Sequence, residues 1–166
     1  MKQSSIISYK GGAKRLPQIF NIKYSILNCN NQSPVIIPVT EEYHIPETRH
    51  KAKSLAETLG FRQTIVFYIM TSVSELANNL IFHTDKGGTI TLAPCIKTDN
   101  VGIEVIAEDQ GPGIADIDLA LTDGFSTNRG LGGGLPGVKR LMDEFEIKSK
   151  VGLGTQVTAR KWQAWL

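Results

Sequence analysis

Little in this chain of 166 residues is abundant enough to stand out, and each scarcity removes a class of protein. Its two cysteines, Cys29 and Cys95, are far apart and outside any Cys-x-x-Cys pair. That excludes a disulfide scaffold and predicts free, buried thiols in a reducing compartment. The longest unbroken apolar run is Ile65 to Met70, far short of the ~20 residues that a membrane span requires. No signal-peptide core opens the sequence. Net charge is only +2, so no broad basic face for nucleic acid or anionic lipid is expected. His44, His50 and His83 lack ligand spacing, which argues against zinc. A Gly-x-x-x-x-Gly-Lys-Ser/Thr phosphate loop is absent. The chain reads as a cytoplasmic, soluble protein that binds neither nucleic acid nor membrane.

What is present divides at about residue 38. Residues 1–38 mix short β-like pieces (Ser5 to Tyr9, Phe20 to Leu27, Val35 to Ile37) with Gly11-Gly12, Pro17 and a polar cluster from Asn28 to Ser33. They fit either strands separated by turns or an N-terminal extension. From residue 39 to 166 the patterns sharpen. Val39 to Ile45 suits a strand, and Pro46 the first residue of a helix whose apolar face is Ala52, Leu55, Ala56 and Leu59. Gly60 is a natural stop. A second helix is expected over Thr64 to Phe82, with Ile65, Ile69, Val73, Leu76 and Leu80 inward. Thr89–Lys97 and Gly102–Asp109 read as a hairpin around Thr98-Asp99-Asn100, with Pro94 marking an edge or bulge. After a glycine-rich loop come a helix over Leu135 to Asp143 and two strands, Phe145–Lys150 and Thr155–Lys161. Trp162 is expected in the core. This order predicts an α+β fold, with helices layered on one face of a largely antiparallel sheet.

Three clusters have chemistry to offer. Glu75 and Asn79 are four apart on the second helix and share a face. An amide oxygen is a hard ligand suited to Mg²⁺, and a carboxylate one turn away can orient or deprotonate a nucleophile. The spacing is common, and a solvated polar strip has the same pattern. Asp109 ends a strand and runs into Gly111-Pro112-Gly113. Glycines there let the backbone approach a flat ligand, and the carboxylate can accept from an exocyclic amine such as that of adenine. An ordinary Asx-type turn fits as well. Gly130-Leu131-Gly132-Gly133-Gly134-Leu135-Pro136-Gly137 opens a helix, and its free N–H groups form an anion site suited to phosphates. The run contains a literal Gly-x-Gly-x-x-Gly, but no strand precedes it and no βαβ unit follows, so a dinucleotide fold is set aside. Thr155, after Gly154, has the position to make one bond at a base edge. Ser126 and Thr127, with no adjacent base, are not nucleophiles.

In this order the four segments resemble the ATP-site motifs of the GHKL ATPase superfamily, over about Val39 to Trp162. The wording is most similar to the RsbT-type serine/threonine switch kinases of bacterial stress signalling, and next to the anti-sigma-factor kinases. It is carried by Glu108-Asp109-Gln110-Gly111-Pro112-Gly113-Ile114, Gly124-Phe125-Ser126-Thr127 and the stretch from Gly134-Leu135-Pro136-Gly137 to Phe145. The resemblance implies a two-layer α/β sandwich of the Bergerat type and use of ATP and Mg²⁺. It implies Asn79 as the Mg²⁺ ligand, Glu75 as general base or orienting group, and Asp109 reading the adenine amine with help from Thr155. Gly111, Gly113, Gly130, Gly132 and Gly134 would shape the base pocket and a short lid. The implied substrate is a serine or threonine on a STAS-domain regulator, with a further signalling protein engaged after release.

Two departures from the family pattern are visible. The lid usually reads Gly-Leu-Gly-Leu-Gly, and here its fourth position is Gly133, which predicts a looser lid. Residues 1–38 have no counterpart in the minimal kinase and would act on partner choice or oligomer contacts. The leading expectation is therefore an ATP- and Mg²⁺-dependent protein serine/threonine kinase. The alternative is a nucleotide-dependent, anti-sigma-like binding module with little phosphotransfer. A histidine-kinase ATPase domain is disfavoured, because no phosphoacceptor helix with a suitable histidine precedes it.

Overall fold

The computed structural model describes residues 33–97, 99–122 and 133–164. Strand β1 (Val35–Val39) is followed by helices α1 (His44–Thr58) and α2 (Gln63–Phe82). Strands β2 (Gly88–Lys97) and β3 (Asn100–Asp109), a short helix α3 (Ile117–Ala120), helix α4 (Gly134–Leu141), and strands β4 (Glu144–Lys150) and β5 (Gly154–Ala164) complete the order. The five strands form one sheet in the order β1-β2-β3-β5-β4, every neighbouring pair antiparallel. This is the expected α+β arrangement.

The period-2 pattern decides which face is covered. Val101, Ile103, Val105 and Ala107 on β3 are buried, as are Ile90 and Leu92 on β2 and Val157 and Ala159 on β5. They pack in one core with Ile37 and Val39 of β1 and with the inward faces of α1 and α2. Each fully buried Ile or Leu contributes about 1.5–3 kcal/mol. Helix α2 is long and apolar enough by composition to cross a membrane, but it is the core helix, burying Val66, Ile69, Val73, Leu76, Ala77 and Leu80. The opposite face of the sheet is polar. On it Arg160 bonds to Glu104 at 2.6 Å and to Glu144 at 2.9 Å. The Arg160 bond, and then the Trp162 indole N–H, hold the Glu144 carboxyl below its ordinary range.

Several boundaries differ from the sequence reading. The β-like piece at Val35 to Ile37 is part of strand β1, Val35–Val39, whereas Val39–Ile45 is not a strand, and the division expected at residue 38 falls inside β1. Residues 44 and 45 are already helical, and Pro46 sits third in α1 rather than first; its missing N–H costs nothing there either, since the first turn has no intrahelical acceptors. The α1 terminus closes as a Schellman motif, Phe61 N–H to Ala56 carbonyl and Gly60 N–H to Glu57 carbonyl, both at 3.0 Å. Pro94 lies beyond Leu92, the last β2 residue opposite β1 among the described residues. Trp162 is on the outer face, not in the core: its ring lies against Gly102, and its Nε1–H donates to Glu144 at 3.0 Å. Cys95 is half-buried beside it, and burial, with Glu104 nearby, pushes its thiol up to about 12. Cys29 and Trp165 lie outside the described residues.

One buried group has no partner. Ser72 on α2 is fully buried, and its Oγ makes no hydrogen bond among the described residues. Ser72→Ala is expected to stabilise the protein by about 1 kcal/mol, roughly 3 °C in Tm, because an unpaired buried hydroxyl is removed. A lower Tm would reveal a partner for the hydroxyl.

Candidate active site

Beside α2, where β3 ends and β5 begins, lies a cavity of about 350 Å³. Its apolar wall includes Leu76 and Leu80 of α2, Ala107 of β3, Val157 of β5 and Leu135 of α4. A partly apolar cleft with a few convergent polar groups is the usual form of a small-molecule site.

The polar groups come from four segments. Asn79 reaches the cavity from α2, four residues after Glu75. Asp109, the last residue of β3, lines it too, and its Oδ1 accepts from the Gly111 N–H at 2.8 Å. Thr155 enters from β5, and Gly113 and Gly134 also border the space. Gly111 is not on the wall; a Cβ there would meet the Thr84 side chain at 2.9 Å, so it shapes the turn behind Asp109. At Gly113 a Cβ would fall 2.3 Å from the Lys150 carbonyl oxygen, and the Gly152 N–H donates to the Pro112 carbonyl at 2.8 Å. The loop after Asp109 and the β4–β5 turn are thereby packed backbone to backbone.

Glu75 sits apart from this group. It is only 5% exposed, and its Oε2 accepts from the Gly134 N–H, the first residue of α4, at 3.2 Å. The carboxylate is thus fixed at a helix N-terminus, where negative charge is favoured. Asn79, Asp109, Gly113, Gly134 and Thr155 converge on one cavity, Gly111 and Glu75 stand directly behind its wall, and Gly130 and Gly132 lie outside the described residues. The expected glycine lid, with Ser126 and Thr127, falls largely in that same stretch.

Sequence reading missed His83, Thr84 and Ile114 as wall residues. His83 had a signal, since it follows Asn79 by one helical turn. Thr84 had none: its hydroxyl caps the end of α2, donating to the Leu80 carbonyl at 2.6 Å. Among the described residues no group of three or more His, Cys, Asp or Glu converges to hold a metal. The oxygen of Asn79 is a single hard ligand, which fits an ion such as Mg²⁺ that is shared between one or two protein groups, phosphates and water.

A buried acid, an amide, an acid at a strand end and a helix opening on glycines, set on an antiparallel sheet, together define a nucleotide-binding ATPase-type domain. A profile of the histidine kinase-like ATPase domain matches residues 37–161, and the chain belongs to that family. Serine/threonine-protein kinase RsbT of Bacillus subtilis (strain 168) is 44% identical over 133 residues, which cover 80% of this chain and 98% of that one. The anti-sigma F factor of Thermoanaerobacter sp. (strain X514) is 38% identical over 99 residues, 57% of this chain and 68% of that one. Among solved structures, the RsbU and RsbW domains of a Mycobacterium tuberculosis protein align over 80% of this chain and 33% of that one. The TM-score is 0.53 at 20% identity, a likeness of fold.

Proposed function

We propose that this protein is an ATP-dependent protein serine/threonine kinase that works as a partner-switching regulator, with its kinase domain beginning at β1. The observation that carries this is the convergence of Asn79, Asp109, Gly113, Gly134 and Thr155 on one cavity. It occurs in a chain that matches a serine/threonine-protein kinase over almost that protein's whole length. In this reading Asp109 accepts from the adenine amine and Thr155 assists at the same edge. Gly111 and Gly113 let the backbone close on the base, and Gly130, Gly132 and Gly134 serve the phosphates. Asn79 holds Mg²⁺, which neutralises phosphate charge when bound.

Phosphoryl transfer asks the protein mainly for positioning and charge stabilisation. The substrate hydroxyl oxygen forms a bond to the γ-phosphorus as the bond to the β–γ bridging oxygen breaks, and ADP leaves. Glu75 takes the hydroxyl proton or orients that hydroxyl. The N-terminus of α4 faces the negative charge that collects on the transferred group. The acceptor is a serine or threonine on a STAS-domain regulator, in the cytoplasm, and the modified partner is released so that a further protein can be engaged.

Thermal unfolding with Mg²⁺ alone, Mg²⁺-ATP and Mg²⁺-GTP tests the adenine site. ATP at 100 times its Kd should add about 2.7 kcal/mol, roughly 5–10 °C for a domain of this size. Asp109→Asn should weaken ATP by about 10- to 150-fold by removing a charged hydrogen bond. No shift with any nucleotide would overturn the adenine site, whereas a shift with ATP but no phosphotransfer would favour the nucleotide-dependent binding module, for which Gly133 in place of a lid leucine is the feature in hand.

A further inference from the structure

Ser149 belongs to β4 and reaches the cavity only through other groups. Its Oγ accepts from the Ile114 N–H at 2.8 Å, donates to the Gly154 carbonyl at 3.1 Å, and lies 2.8 Å from Thr155 Oγ1. One hydroxyl thus joins β4, the loop after Asp109 and the first two residues of β5. A serine hydroxyl has one proton and two lone pairs. With its proton on the Gly154 carbonyl and its lone pairs filled by Ile114 N–H and Thr155 O–H, all four groups are satisfied. Chains of this kind strengthen one another. The Thr155 proton is then committed to Ser149, and what Thr155 presents to the cavity is lone pairs. The opposite direction, Ser149 donating to Thr155, takes that donor from the Gly154 carbonyl and leaves the Thr155 proton without a protein acceptor among the described residues.

We propose that Ser149 is a positioning residue for purine selection: it holds Thr155 as an acceptor beside Asp109, so that the pocket admits a 6-amino purine and rejects a 6-oxo purine. This rests on the adenine-site reading above. Asp109 and Thr155 line the same cavity. Their backbones touch at Gly154, where a Cβ would fall 2.1 Å from the Asp109 carbonyl oxygen. The Asp109 carboxylate is itself oriented by the Gly111 N–H on Oδ1, and an ionised carboxylate only accepts. Two acceptors suit an exocyclic amine, which has two hydrogens to give. A carbonyl at the same position sets lone pairs against lone pairs, and a site with unpaired polar groups rejects such a ligand strongly. Thr155 alone does not fix this polarity, because a free threonine hydroxyl would rotate and donate.

ATP and ITP differ at the 6-position and at the adjoining N1, which carries a hydrogen in ITP, and neither has a 2-amino group, so their affinity ratio reads the polarity of that one edge. Calorimetric Kd values for both are to be measured in wild type, Ser149→Ala, Ser149→Thr, Thr155→Val, the Ser149→Ala/Thr155→Val double variant and Asp109→Asn. Ser149→Ala is expected to lower the ATP-over-ITP preference by about 3- to 10-fold, the worth of one neutral hydrogen bond. Thr155→Val should lower it similarly, the double variant no further than Thr155→Val alone, and Ser149→Thr should retain the preference. Loss of the Ile114 bond will also lower the nucleotide-free Tm of Ser149→Ala, but both nucleotides are measured on the same folded protein. An unchanged ratio in Ser149→Ala, or additive losses in the double variant, overturns the proposal while Asp109→Asn still upholds the adenine site. Unchanged ATP affinity in Asp109→Asn overturns the adenine-site reading and the proposal with it.

Discussion

Glu75→Ala is expected to keep nucleotide binding and to slow phosphotransfer by roughly 10²- to 10⁴-fold, the range for loss of a general base. The separation of the two effects follows from where Glu75 stands. It lies behind the cavity wall, and the proposed base contacts belong to Asp109 and Thr155 on other elements. It accepts from the Gly134 N–H, a group at a helix start that water or a phosphate oxygen can satisfy in its absence. Glu75→Gln sharpens the test. The amide oxygen keeps the bond to Gly134 and loses the basicity, so this variant should be as stable as wild type and as slow as Glu75→Ala. Single-turnover transfer to the acceptor protein, with ATP affinity by calorimetry, checks both. Transfer at the wild-type rate would remove Glu75 from the chemistry, and a parallel loss of ATP affinity would make its role structural.

Gly154→Ala should be strongly damaging for so small a change, at about 3–5 kcal/mol and roughly 10–15 °C in Tm. Gly154 has φ +110°, and an added Cβ would meet the Asp109 carbonyl oxygen at 2.1 Å and the Gln110 Cα at 2.8 Å. Those neighbours are backbone and cannot rotate away, so β5 must shift from the end of β3. Gly152, two residues earlier in the same turn, supplies the control. Its φ is +77°, but nothing lies within 4 Å of its Cβ position, so Gly152→Ala should cost only the left-handed conformation, about 1–2 kcal/mol. Thermal melts of the pair separate crowding from backbone strain, and equal losses would rule crowding out. The surviving folded fraction of Gly154→Ala should also bind ATP poorly, since Asp109 and Thr155 move with the shifted strands.

Helix α2 and the β2–β3 hairpin were legible in the sequence because periodicity and burial agree there. Leu76, Leu80, Ile103 and Val105 each point where a period of 3.6 or 2 puts them. The β-like character of Val35 to Ile37 was legible, but a strand was also expected over Val39 to Ile45, because β1 is half-exposed and short, with Ile36 at 64% exposure beside buried Ile37, and the following residues had as good a strand composition. Tyr43, His44 and Ile45 are weak helix signals, and docking of α1 on α2 decides their state. Trp162 was misassigned because aromatic size favours burial, whereas the adjacent Gly102 offers a flat surface on the polar side of the sheet. In the site, the residues placed together by the fold were nameable one by one from turn and capping chemistry. Their support was not: Thr84 reads as an ordinary residue at a helix end, and Ser149 as an ordinary strand residue that finds its partners only through the pairing of β4 with β5 and the return of the loop after Asp109.

The strand order has a consequence for how the domain comes into being. β5, the last of these strands in chain order, is inserted between β3 and β4. A growing chain can assemble β1, β2 and β3 early, but the far edge of β3 then stays uncovered throughout synthesis of residues 110–153. An open, apolar strand edge invites pairing with other chains. Asp109 and Thr155 stand together at one end of that same late junction. The candidate pocket is therefore completed only in the step that joins β5 to β3.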